Sequence, residues 1–321
     1  MYWTYRDFDF SQVDETLFKK IDVWWMSVSL IFGILSQVFR GIRWKQTLEP
    51  LGEFPRTSHC IHAVFISYAA NLVVPRLGEV SRCGVLAEAD NVSFSKSLGT
   101  VVTERVIDTL CIGLMTLWAI GGQWRVFRDF FQETGTKFGN WERMFLSTEF
   151  YGWILVGLLL CWGGFLLLKR LSIYKRLKQL CYNLWEGIMS VRKVRRPGLF
   201  ICYTILIWMS YLFHFYLTFF CFQFSDHLSF MAGLVMFVVG SIAVVIPTPN
   251  GAGPWHYAVI TMMVLYGVST EDAGMFALLV HAIQTFLIIL LGVYGLLVMQ
   301  IGKKKLLTKA QRTSDVAEIR S

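Results

Sequence analysis

Long apolar runs alternate along the chain with short polar segments that are mostly basic. The first run, 23–39, has Trp24 and Trp25 at its mouth and ends at Arg40, Arg43, Trp44 and Lys45. A helix of about 20 apolar residues crosses a bilayer, so this run is predicted to span a membrane. Further spans are predicted over 98–120, 150–168, 199–222, 230–246, 254–266 and 273–301. The segment 61–74 is apolar but short and is stopped by Pro75, and the stretch from Arg76 to Asn91 is too polar to span. Residues 121–149 form a polar loop with no charge bias. Between 169 and 196, Ile173, Leu177, Leu180, Leu184 and Ile188 recur at helical spacing among nine basic residues and one acid, Glu186. That pattern predicts an amphipathic helix over 170–196, lying on the cytoplasmic membrane surface. The expected fold is all-α, a polytopic transmembrane bundle of about seven spans with re-entrant elements. It forms one domain over 1–300, and a basic, disordered cytoplasmic tail over 301–321 follows, with Lys303, Lys304 and Lys305.

Composition agrees with this pattern. The 321 residues are 55% hydrophobic and 16% charged, with mean hydropathy +0.51, against about a quarter charged in soluble domains. The net charge of +8 would suggest nucleic acid in a soluble protein, but here the bases flank apolar helices and set topology. Seven cysteines lie scattered, mostly in apolar runs, without a CxxC pair, so they read as small apolar residues. The opening Met1 to Arg6, with Tyr2, Trp3 and Tyr5, resembles the trailing edge of a helix and predicts a span upstream.

Basic residues favour the cytoplasmic side. The end of the first span, the 170–196 helix and the tail therefore belong there. Three crossings between the first two would put the helix outside, whereas two crossings fit. Segment 61–74 and the stretch Arg76–Arg82 are thus expected to enter and leave on one side as a re-entrant hairpin. Such backbone is tolerated only where protein buries it or a wet cavity borders it. Runs 230–246 and 254–266 keep the C-terminus cytoplasmic whether they cross or re-enter. The expected location is a bacterial inner membrane.

Three constellations carry candidate chemistry. In the first, Asn71 to Arg82, Pro75 ends a helix and Gly78 permits a tight turn. Arg76, Glu79 and Arg82 recur every three residues, on one face of a following helix. Two guanidiniums there suit a phosphate, with Glu79 holding them apart when no ligand is bound. The same arginines would also serve as an interfacial anchor. In the second, Glu104, Arg105 and Asp108 lie inside a span. A charge at the bilayer centre costs about 2.5–3.5 kcal/mol, so these residues should face inward with partners. They form either a polar cavity wall or an ion-pair lock. In the third, Pro247, Pro249, Asn250, Gly251, Gly253 and Pro254 break the helix before His256. Freed N–H groups at the next helix start suit an anion, and His256 would titrate, donate to a phosphate or line a cavity. A plain loop between spans fits this segment as well. Two broken elements in corresponding halves point to a transport site. Both follow a Val-Val run, Val73-Val74 and Val244-Val245, so an internal inverted repeat is possible. His59 and His62 lie three apart with no carboxylate in register for a metal. No nucleophile motif or phosphate loop is present, so neither enzyme activity nor a cofactor is expected.

Together, Asn71…Pro75-x-x-Gly78-Glu79-x-x-Arg82, Glu104-Arg105-x-x-Asp108 and Pro247-Thr-Pro-Asn-Gly-Ala-Gly253 resemble the flippase-like family named for the transmembrane domain of lysylphosphatidylglycerol synthase. The resemblance implies about eight helices with re-entrant elements and translocation of a lipid between leaflets. The synthase's soluble aminoacyl-transferase domain has no counterpart here, so that reaction is not implied. The family's glutamate after the proline-glycine segment is replaced by His256, which favours an anionic or neutral head group over a cationic one. The expected function is a lipid translocase whose partner is a phospholipid or lipid-linked phosphate. The alternative is a membrane adaptor that holds a lipid- or glycan-modifying enzyme on the basic surface. A homo-oligomer is compatible with either, and nucleic acid with neither.

Overall fold

The computed structural model describes residues 21–124, 152, 155 and 174–320, with side chains for 21–124, 152, 155, 179 and 182–301. The N-terminal aromatic segment, most of the 121–149 loop and the span at 150–168 lie outside the described residues.

Among the described residues there are nine α-helices and no strands. They are α1 (Val23–Leu48), α2 (Thr57–Val73), α3 (Leu77–Asp90), α4 (Phe94–Gly122), α5 (Tyr174–Met189), α6 (Pro197–Tyr216), α7 (Phe230–Ala243), α8 (Pro254–Leu265) and α9 (Thr270–Arg320). With their flanking turns, α1, α4, α6 and α9 are each long and apolar enough to cross a membrane. The remaining apolar helices are short. At 1.5 Å per residue, α2, α3, α7 and α8 measure about 18–26 Å, less than the ~30 Å hydrocarbon core. They pair as two hairpins, α2–α3 and α7–α8. The expected first hairpin is therefore present, and the 230–266 region forms a second hairpin of two short helices. Helix α9 also corrects an expectation. The basic tail is helical as far as Arg320, because past Gly302 it holds no glycine or proline and is rich in Lys, Leu, Ala, Gln and Arg, which favour helix.

The order long, short, short, long occurs twice, as α1–α4 and again as α6–α9. Contacts follow the same permutation. Helix α1 packs on α2 as α6 packs on α7, α3 on α4 as α8 on α9, and α2 on α9 as α7 on α4. Helices α1 and α6 pack on each other at the centre. Two apolar cores result. One joins the aromatic cluster Phe215, Phe219, Phe222 and Phe276 to α7 and α8. The other lies between α1, α2, α3 and α4, around Trp44, Leu48, Val64 and Leu86, and includes Cys60 and Cys83 as small apolar residues.

Residues 174–189 are helical, as expected, with Tyr182 and Trp185 exposed; the side chains of Ile173, Leu177 and Leu180 lie outside the described residues. This α5 helix is clamped to α4 rather than lying loose on the surface. A Cβ on Gly99 would sit 2.4 Å from the Leu184 carbonyl oxygen, and one on Gly187 would sit 2.5 Å from that of Lys96. Thr103 donates to the Ile188 carbonyl at 2.9 Å, and Asn183 to Ser95 at 3.1 Å. Gly99→Val is expected to lower stability by about 1–3 kcal/mol through overpacking. Gly113→Ala, where a Cβ meets nothing within 4 Å, should change it little. Thermal unfolding of the detergent-solubilised protein compares the two.

Candidate functional site

The charged residues of the middle spans converge at one place. Helix α1 contributes Arg40 and Arg43, one turn apart and both almost fully buried. Helix α3 contributes Arg82, only 1% exposed. Helix α4 contributes Glu104 and Asp108, one turn apart on its inward face, and Arg105 beside them. Glu104 binds Arg40 in a very close contact, accepts from Arg82 at 3.2 Å and lies 3.8 Å from Arg43. Asp108 accepts from Arg40 at 2.8 Å and from Arg43 at 3.3 Å. Arg105 reaches Asp108 at 3.6 Å along its own helix and Glu79 of α3, also at 3.6 Å.

Polar side chains from neighbouring helices surround this ion cluster. Arg43 donates to Thr204 of α6 at 3.1 Å. Arg40 donates to the Tyr211 hydroxyl at 3.2 Å, and that hydroxyl pairs closely with Tyr68 of α2. The Arg82 guanidinium carbon lies 4.7 Å from the Trp44 ring centroid, and the indole donates to Thr100 at 2.9 Å. The account is incomplete on two sides. Arg82 Nε and Nη2 and Glu79 Oε2 are buried without a hydrogen-bond partner among the described residues. Among the described residues four guanidiniums face three carboxylates, leaving one positive charge in excess.

The first hairpin departs from its sequence reading in three respects. Arg76 precedes α3 and adopts a left-handed backbone, φ 64°, so it does not share a helix face with Arg82. Pro75 forces Val74 to be extended (ψ 120°), and the reversal falls on the next residue. Gly78 is therefore not the turn. It is helical, and a Cβ there would sit 2.2 Å from the Ser67 carbonyl oxygen, so it lets α3 lie against α2. Asn71 accepts from the Gly78 amide at 2.8 Å and tethers the start of α3. Finally, Glu79 pairs with Arg105 rather than with Arg76 or Arg82. Where the hairpin opens, His59 meets Asp90 at 2.9 Å, so the carboxylate absent from the sequence register comes from the end of α3. Among the described residues no group of three His, Cys, Asp or Glu could hold a metal.

The second hairpin turns through Pro247, Pro249, Asn250, Gly251 and Gly253. Asn250, Gly251 and Gly253 have φ of 50°, 73° and 96°, conformations costly for most side chains. Helix α9 holds this turn. Asn250 donates to Thr285 at 2.8 Å, and His281 donates to the Asn250 carbonyl at 3.1 Å. His256 lies in the first turn of α8, as expected, and its Nδ1 accepts from the Gly253 amide at 3.3 Å. One of the freed amides at that helix start is thus already used. The His256 and His281 ring centroids are 4.5 Å apart. The two hairpins meet where Arg76 donates to the Val245 carbonyl at 3.1 Å. The turn at Pro249–Gly251 also lies against α2. The ion cluster and the histidine group nevertheless sit in different halves.

The lysylphosphatidylglycerol synthase TM region, as a family, matches residues 1–292. The chain belongs to this family. A UPF0104 membrane protein of Methanocaldococcus jannaschii is 27% identical over 69% of this chain and 90% of its own length. The glycosyltransferase AglD of Haloferax volcanii is 31% identical over 30% of this chain, a segment that spans 17% of that protein. No solved structure matches.

For this integral membrane protein, reading the sequence missed Arg40, Arg43, Tyr68 and Tyr211. The two arginines stand at the end of an apolar run and count equally well as topological charges. Their signal was the one-turn spacing that puts both on the packed face of α1, next to Trp44. Glu104→Ala would leave three buried arginines short of a carboxylate, and breaking a buried pair costs roughly 3–5 kcal/mol. Glu79→Ala, at the more exposed edge, should cost clearly less. Unfolding of the purified variants in a denaturing detergent titration measures both.

Proposed function

We propose that this protein binds the anionic head group of a lipid in the α1–α3–α4 ion cluster and carries it between leaflets. The observation that supports this reading best is Arg82, buried with two donors that find no partner among the described residues, in a cluster where those residues leave one surplus positive charge. A static ion-pair lock would be expected to balance its charges and satisfy its donors, since buried unpaired groups are costly. A head-group phosphate supplies one negative charge and the acceptors that Arg82 lacks. Membership of the lysylphosphatidylglycerol synthase TM-region family supports a lipid substrate. The two short hairpins support transport, because broken helices meeting inside a bundle are where transporters place their substrates. The working location is the cytoplasmic membrane with the C-terminus inside, supported by the exposed Arg192, Lys193, Arg195 and Arg196 just before α6.

The match to AglD favours a second reading. The chain would be a membrane partner that holds a glycan-modifying enzyme, docked on the Arg192–Arg196 surface.

Mass spectrometry of lipids that co-purify with the protein separates the two readings. The wild type should retain one anionic phospholipid or lipid phosphate. Arg82→Gln should weaken that retention by about 1.5–3 kcal/mol, the worth of a charge-assisted hydrogen bond. Bulk membrane lipid in both samples would sink the head-group reading. Loss of function on neutralising Arg192, Lys193, Arg195 and Arg196, with lipid retention intact, would favour the docking reading.

A further inference from the structure

Arg105 is placed against the usual rule for membrane helices. It lies 11 residues into the 29-residue α4, roughly 16 Å from the helix start at 1.5 Å per residue, and so away from both ends. Its side chain is 47% exposed. Exposed apolar residues on α4 include Val102, Val106 and Leu110, and on α3 they include Leu77 and Val80. An arginine on an apolar, outward face of a span is costly unless something pairs with it. Glu79 is its partner across the α3–α4 seam, itself partly exposed. Arg105 also touches Glu104 at 3.8 Å and Asp108 at 3.6 Å. The Glu79–Arg105 pair is thus where the buried cluster reaches the outer surface, and apolar residues border it on both helices.

Building on the reading above, we propose that the α3–α4 seam is a lateral portal, with Glu79 and Arg105 as its gate. A lipid whose head group bears one net negative charge, a phosphodiester with no cation beside it, enters sideways from the bilayer. Its phosphate takes the place of Glu79 on Arg105 and then meets the unused donors of Arg82. Its acyl chains remain outside, against Val80, Val102, Val106 and Leu110. Charge selects this occupant over a second copy of the chain. A self-associating face would bury the cluster's surplus positive charge against its own image, whereas a lipid phosphate neutralises it.

Site-directed photo-crosslinking of the full-length protein tests the portal. A benzophenone amino acid replaces Val80 or Val106 at the seam, or Leu290 or Leu297 on the exposed face of α9. The vesicles hold equal amounts of phosphatidylglycerol and phosphatidylcholine. At 80 and 106, adducts should favour phosphatidylglycerol by roughly tenfold, because the choline cation of phosphatidylcholine cancels the charge that would neutralise the cluster, a difference comparable to one charge-assisted bond. At 290 and 297 there should be no head-group preference. Arg105→Gln should abolish the preference at 106, and Arg105→Lys, which keeps the charge, should retain most of it. Equal labelling at all four positions, or protein–protein adducts dominating at 106, overturns the portal. Head-group transport measured in the same vesicles separates this inference from the parent reading. Preference at 106 without transport keeps the portal and removes translocation. Transport without that preference keeps translocation and removes the portal.

Discussion

The structure turns on two carboxylates, Glu104 and Asp108, that hold buried arginines from two other helices. Neither acid nor base could stay ionised alone in an apolar interior, so each requires the others in place. Arg40 and Arg43 tie α4 to α1, Arg82 ties it to α3, and Arg43 extends the tie to α6 through Thr204. Four helices are thereby set in register by interactions that are directional, unlike the apolar contacts around them. In a bilayer, where lipid competes on equal terms for apolar surface, such polar ties and close small-residue crossings fix the packing. Gly99 against α5 and Gly78 against α2 are crossings of that kind.

Around this cluster the chain repeats one device. A long helix leads into a hairpin of two short ones, and a second long helix follows. In each half a polar residue of the hairpin's second helix faces a polar residue of the next long helix. In the first half the pair is Arg82 with Glu104, and in the second it is His256 with His281. The first pair is charged and under-satisfied, and the second is built from imidazoles that lock a strained turn. The halves therefore share a plan but divide the work. The first presents charge, the second holds its own turn rigid, and Arg76 on the Val245 carbonyl couples them.

Much was legible in the chain because hydrophobic period and helix-breaking residues are local signals. Apolar run length marked α1, α4, α6 and α9. Pro75 and the Pro247–Pro254 segment marked both hairpin turns, since proline and positive-φ glycine impose their conformations regardless of surroundings. The inward charges of α4 were also legible, because a carboxylate within a span has few places to go. The register of Arg76, Glu79 and Arg82 was misread, since where α3 begins depends on how Val74 and Arg76 settle around Pro75. Gly78 was misread for a related reason. A glycine chosen for close packing looks in sequence like a glycine chosen for a turn.

Sequence alone determined that the chain enters a membrane, that it is helical, where two of its elements break and which α4 residues must find partners. The partners themselves were a matter of tertiary structure. Arg40 and Arg43 are distant in sequence from Glu104, and an arginine at the end of a span can as readily face cytosol as core. Only packing α1 against α4 and α6 removed them from water. Only that packing left Arg82 with unused donors and put the Glu79–Arg105 pair at the surface, because charge balance and exposure belong to the assembled bundle and not to any one helix.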